Sequence, residues 1–184
     1  MGPVDPSTDP LWRAIWNGEL TERAYWDRRA EELSEVAGRI STARDYRRFC
    51  VNRPEDQVIQ PEALAAIRRG RAARIKVGIL TNDLAAFVGA EWKDPVAFFR
   101  EIDAFTEVSY GAMKADSRAY YEALKNLGTT AIETLFVDDQ PHHVRGGEAV
   151  GMDSIRFEIG RPAAMWAEIT AKVLGDTITA PDYR

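Results

Sequence analysis

Cysteine is almost missing from this chain: there is one, Cys50, in 184 residues. A lone thiol closes no intrachain disulfide, and a reducing compartment is the expected setting. No His or Asp stands beside Cys50 to make a nucleophilic pair, so a small, half-buried apolar role is expected of it. Long apolar runs are missing too. Nothing approaches the ~18–20 residues that a membrane span needs, and Met1-Gly2-Pro3-Val4-Asp5-Pro6 has neither the basic start nor the apolar centre of a secretion signal. Positive charge is in deficit: 24 Lys and Arg against 29 Asp and Glu give a net charge of −5. That balance speaks against nucleic acid or an anionic membrane as the main partner, since both want a basic face. The densest basic run, Ile67-Arg68-Arg69-Gly70-Arg71-Ala72-Ala73-Arg74, reads as the solvated end of a helix, where cations suit the dipole. The expected location is the cytoplasm.

With 45% hydrophobic and 29% charged residues, the composition is that of a soluble domain with a full core and room for a small appended lobe. Residues 1–10, with three prolines, read as an irregular lead-in. Leu11, Ile15, Leu20, Tyr25, Trp26 and Leu33 follow a helical stripe that Asn17-Gly18 interrupts, and Thr21 looks like a fresh N-cap. Two helices joined by a tight turn are expected there. A helix is expected around Ala43–Cys50, a loop through Asn52-Arg53-Pro54, and a further helix over Glu62–Arg71 with Pro61 in its first turn.

From Lys76 onward the texture changes. Ile75–Leu80, Phe105–Ser109, Thr134–Val137 and Ser154–Phe157 read as strands, and helices are expected near Leu84–Gly89, Pro95–Ile102, Asp116–Leu127, His143–Val150 and Ala163–Leu174. Alternating strand and helix predicts an α/β fold with a Rossmann-like parallel sheet and right-handed crossovers. Residues 1–60 are expected to form a small helical cap-like region with its lead-in, and residues 61–184 the α/β core.

In an open parallel sheet, sites form at the carboxyl ends of the strands. Thr81-Asn82-Asp83 follows the first strand and Asp138-Asp139 a later one. Two adjacent carboxylates in a partly buried place repel each other unless a cation or a shared proton compensates, and a hard divalent ion with oxygen ligands, Mg²⁺ above all, is the usual compensator. Lys114 lies between them in sequence, in the loop Tyr110-Gly111-Ala112-Met113-Lys114. A hydroxyl, a lysine and a carboxylate pair at one edge make a phosphate-and-metal constellation. Taken singly, each has a plainer use: a strand end, a solvated loop lysine, a helix cap.

The segment Gly78-Ile79-Leu80-Thr81-Asn82 resembles the second motif of haloacid dehalogenase-like hydrolases, and Lys114 before Ala115-Asp116 resembles their third. Leu135-Phe136-Val137-Asp138-Asp139-Gln140-Pro141, with Gly147, Ala149, Gly151 and Met152, is similar to the fourth. The stretch from Leu11-Trp12 to Trp26 resembles the small helical cap of the phosphatase and dehalogenase branch. The resemblance implies that Thr81 and Lys114 act in catalysis, that Thr81, Asn82 and Lys114 bind the phosphoryl group, and that Asp139 holds Mg²⁺ with Asp138 as auxiliary ligand. It implies a small phosphorylated or anionic molecule as substrate.

Three departures accompany it. Ala115 stands where Pro is usual, and His143 where many relatives have Asn. Third, family members open on an apolar strand ending in Asp-x-Asp or Asp-x-Gly, whose first Asp is the nucleophile, and residues 1–10 do not have that pattern. Asp5 and Asp9 follow no apolar strand. The missing strand is normally central, between those of the second and fourth motifs, so a segment from elsewhere is expected in the slot: an N-terminus that this chain lacks, a rearranged sheet, or a partner's segment, with a homodimer as one form. Three functions stay open. One is a Mg²⁺-dependent phosphatase-type scaffold without its aspartyl nucleophile. The second is a noncatalytic binder of a phosphorylated ligand or partner protein. The third is an enzyme using Asp138, Asp139 or His143 as acid or base. Trp12, Trp16, Tyr25 and Trp26 either line an entrance or, at their helical spacing, form core.

Overall fold

The computed structural model describes residues 8–37, 42, 45, 54–89, 96–109 and 111–175. The helix expected around Ala43–Cys50 and the carboxylate of Asp5 lie outside them. Helices α1 (Pro10–Trp16) and α2 (Glu22–Ala37) form the expected pair. Asp9 caps α1 by accepting from the backbone N–H groups of Leu11 and Trp12, and Thr21 accepts from Ala24 N, so two orphan donors at the start of α1 and one at the start of α2 find side-chain oxygens. Trp12, Ile15, Tyr25 and Trp26 close a core between the two helices. Trp12 is 1% exposed, and its ring meets Tyr25 edge-on at 4.9 Å. These aromatics are therefore core, except for Trp16, which is half-buried.

A single turn, α3 (Glu55–Val58), precedes α4 (Pro61–Ala72). Strand β1 runs Gly78–Asn82, later than the expected Ile75–Leu80, because the chain is still reversing at Arg74, whose φ is +64°. After α5 (Leu84–Val88), residues 97–100 form a 3-10 turn where a longer helix was expected. Strand β2 (Ala104–Val108) follows, then α6 (Ser117–Leu127), capped by Asp116 and stopped by Gly128 at φ +63°. Strand β3 (Leu135–Asp138), α7 (Pro141–Ala149), β4 (Asp153–Arg156) and α8 (Pro162–Leu174) complete the described chain. The class is α/β, as the alternation predicts.

The sheet is in two halves. β1 pairs in parallel with β2, and β3 in parallel with β4; among the described residues no ladder joins β1 to β3. Val77 O accepts from Asp103 N and Asp83 N donates to Val108 O, so odd-numbered residues of β1 turn their peptide groups toward β2. Gly78, Leu80 and Asn82 turn theirs to the opposite edge, which no strand among the described residues pairs. None of the residues of β1 or β3 is fully buried, whereas the centre of a doubly covered sheet is buried on both faces. What spans the gap is the helix layer. Tyr120 of α6 is 0% exposed and packs with Leu80 of β1 and Phe136 of β3, and its ring stands edge-on to that of Phe136 at 5.3 Å. Its hydroxyl also donates to the His143 carbonyl of α7 at 2.6 Å, tying together the helices that cover the two halves.

Candidate active site

The carboxyl ends of β1 and β3 face one another across this gap, and Lys114 fills the space between them. Its ammonium donates to the Leu80 carbonyl on the open edge of β1 at 3.0 Å and to Asp138 Oδ2 at 2.6 Å. Only 10% of the lysine side chain and 7% of the aspartate side chain are exposed. The loop that carries Lys114 is held by Asn82: Lys114 N donates to Asn82 Oδ1 at 2.9 Å and Asn82 Nδ2 donates to Lys114 O at 3.3 Å. The amide of Asn82 is thus used on the lysine backbone. The Lys114–Ala115 peptide is cis. Thr81 sits one residue before Asn82 at the end of β1, half-buried.

Asp138 ends β3 and serves several donors. Oδ1 accepts from Gln140 N at 2.9 Å and lies 3.0 Å from His143 Nδ1; Oδ2 takes Lys114. Burial is the largest influence on this carboxyl and by itself raises its pKa. The hydrogen bond from His143 and the charges of Lys114 and His143 outweigh it and hold the group well below the usual carboxylate range. Asp139 is its opposite. Burial first, then the like charges of Asp138 and Glu22, push its pKa up, and its Oδ2 is buried with no hydrogen-bond partner. The ring of His142 lies 4.2 Å from that of His143; burial and the charge of its neighbour lower its pKa to about 4.

The α1–α2 pair reaches this edge. Arg23 of α2 pairs with Asp83 just after β1 at 3.4 Å, and the Arg156 guanidinium, at the end of β4, stacks over Trp16 at 4.5 Å. Glu22 at the start of α2 is near enough to act on Asp139 and accepts from Trp26 Nε1 at 3.0 Å. Asp9, the one N-terminal carboxylate within the described residues, is spent on the cap: beyond α1 it accepts from the Tyr25 hydroxyl at 2.9 Å and from Arg29 at 2.8 Å.

The fit to Mg²⁺ can be read from the donors. Asp139 offers a buried, unpartnered carboxylate oxygen, the kind of atom a cation satisfies. Asp138 offers less, since Oδ1 already meets Gln140 N and His143 Nδ1 and Oδ2 holds the Lys114 ammonium. Among the described residues no group of three His, Cys, Asp or Glu could hold a metal ion. They supply one ligand position and do not close a magnesium site by themselves.

Asn82, Lys114 and Asp138 meet on one edge, and Thr81 and Asp139 adjoin them in sequence at the ends of β1 and β3. Two roles were not read from the sequence. Asn82 serves as the clamp on the lysine loop, and His143 is a buried partner of Asp138. The only signal for the second is spacing: His143 lies about one helical turn beyond Gln140, the N-cap of α7, and so turns back toward the end of β3.

Among the described residues no helix is long and apolar enough to cross a membrane. Phosphatase MT3486 of Mycobacterium tuberculosis (strain CDC 1551 / Oshkosh) is 31% identical over 93 residues, which cover 50% of this chain and 43% of that protein. The chain therefore aligns with less than half the length of that relative. No solved structure matches. The model of the haloacid dehalogenase-like hydrolase family matches residues 13–151, a span that takes in α2 and part of α1, the Thr81 strand end, Lys114 and the Asp138-Asp139 pair, and the chain belongs to that family.

Proposed function

We propose that the edge between β1 and β3 is the phosphate subsite of a phosphatase-type hydrolase whose aspartyl nucleophile is not supplied by the described residues. The observation that carries this is the lysine ammonium held between the Leu80 carbonyl, one residue before Thr81, and Asp138 Oδ2. A cation placed at a strand end and shielded from water is suited to a phosphoryl oxygen. The name of the mycobacterial relative, a phosphatase, agrees with this reading.

In this proposal Lys114 neutralises the phosphoryl charge, Thr81 donates to a phosphoryl oxygen, and Asn82 holds the loop that aims Lys114. Asp138 anchors the ammonium, and Asp139 presents its free oxygen toward a cation. Mg²⁺, once further donors complete its shell, would supply charge neutralisation at the phosphoryl oxygens. The strand slot is where a segment bearing the nucleophile and those donors would lie. The partner is a small phosphorylated or anionic molecule, with neither nucleic acid nor a membrane required, and the setting is the cytoplasm. A second copy of the chain completing the sheet belongs to the proposal only as one source of that segment.

The test is hydrolysis of a generic aryl phosphate with Mg²⁺. This chain alone is expected to show no turnover while binding orthophosphate. Clear turnover that Asp139→Ala abolishes would sink the missing-nucleophile part of the proposal.

A further inference from the structure

Asp138 divides two oxygens among three donors, and the partners differ in rigidity. Lys114 approaches on a flexible four-carbon stem with three N–H groups to turn. The imidazole of His143 is a rigid plane, 6% exposed, and its backbone is fixed twice. Its own carbonyl accepts from the buried Tyr120 hydroxyl at 2.6 Å, and it lies in the first turn of α7. A carboxylate is planar, so fixing Oδ1 also sets the direction of Oδ2. The Gln140 N–H at 2.9 Å meets Oδ1 as well, but it belongs to the chain immediately after Asp138 and moves with it. His143 is the partner that comes from a separately anchored side chain.

We infer that His143 is a positioning residue: its Nδ1–H holds Asp138 Oδ1 and so keeps Oδ2 on the Lys114 ammonium. The opposite tautomer, with Nδ1 bare, would set a ring lone pair against a carboxylate oxygen at 3.0 Å and is disfavoured by that repulsion. This gives the adjacent aspartates separate duties. Asp138 is committed to the lysine through Oδ2, while Asp139 keeps a buried oxygen without a hydrogen-bond partner. The inference rests on the phosphate reading only for what Lys114 meets in the pocket; the arrangement of Asp138 does not depend on it.

Two amide variants separate positioning from mere filling. In His143→Asn the amide nitrogen falls at the δ position and can replace the Nδ1–H. In His143→Gln the same amide is carried one bond farther and misses Oδ1. The readout is the acylation rate of Lys114 measured by mass spectrometry on the full chain, with exposed Lys125 as the internal control. His143→Asn is expected to stay within about twofold of the parent, and His143→Gln to expose Lys114 by about tenfold, the equivalent of one hydrogen bond of about 1.4 kcal/mol, with Lys125 unchanged. Equal Lys114 rates in the two variants would overturn the inference, as would a parallel rise at Lys125, which marks a merely structural loss. Should both variants misfold, long-range proton–nitrogen spectra of the parent decide: a proton on Nδ1 of His143 supports the inference, and a bare Nδ1 overturns it. Neither readout needs a ligand. A parent that fails to bind orthophosphate therefore sinks the phosphate reading alone, and the two readouts still decide for or against His143.

Discussion

Replacing Lys114 by Met tests the ion pair at the centre of the site, because Met keeps the stem and removes the charge and its N–H donors. The variant leaves Asp138 Oδ2 without its 2.6 Å partner and the Leu80 carbonyl without its 3.0 Å donor, in a place where the aspartate side chain is 7% exposed. Breaking a buried pair from one side costs about 3–5 kcal/mol. Asp138 retains His143 and Gln140 N, so the low end applies, about 3 kcal/mol at pH 7. For a chain of this size that is a fall of roughly 6–12 °C in melting temperature.

The pH dependence gives an independent check. The folded-state pKa of Asp138 is depressed, so its contribution is present above the unfolded carboxylate value of about 3.9 and is lost as pH falls through the folded value. Without Lys114 the depression shrinks. The stability gap between parent and variant is therefore expected to close on acidification below about pH 4. Urea unfolding at pH 7 and at a series of acidic pH values reads both quantities. Adding Asp138→Asn to Lys114→Met removes the stranded charge and should recover much of the loss. A Lys114→Met variant within about 1 kcal/mol of the parent at pH 7, or a gap that widens in acid, would refute the pair as drawn.

Asp139→Asn should act in the other direction. Burial raises the pKa of Asp139, so the folded state favours its neutral form and loses stability as pH rises through the raised value; the variant is expected to melt above the parent at pH 7 and level with it in acid, as calorimetry would show. Gly147→Ala should destabilise the fold by about 1–3 kcal/mol in urea unfolding, because the new Cβ would lie 2.8 Å from both Phe136 Cδ1 and Ser154 Oγ, where α7 crosses β3 and β4. A neutral Gly147→Ala would mean that α7 sits farther from the strands.

The parts of this molecule that could be read from sequence are those written in local chemistry. Asp116 and Gly128 bracket α6 as cap and stop, Thr21 and Asn17-Gly18 mark the break between α1 and α2, and an apolar run before Asp138-Asp139 marks a strand ending at a site. The parts that could not be read depend on long-range partners. The start of β1 is set by the reversal at Arg74 and by Asp103, which accepts from Val77 N at 2.8 Å and donates to its carbonyl. Residues 97–100 are apolar enough to suggest a helix, and Phe98 and Phe99 form aromatic contacts there instead. At the site, residue types pointed to Thr81, Lys114 and the aspartates. The commitment of Asn82 to a loop 32 residues away, and of His143 to Asp138, exists only once the two half-sheets face each other. Among the described residues β1 and β3 each pair on one side only.

The most direct measurement is a calorimetric titration of orthophosphate, with Mg²⁺ present, into the parent chain and into Lys114→Met. The phosphate reading expects measurable binding to the parent and at least about a tenfold loss in the variant, the worth of one charge-assisted contact. Equal affinity in the two proteins, or no binding to the parent, would contradict it.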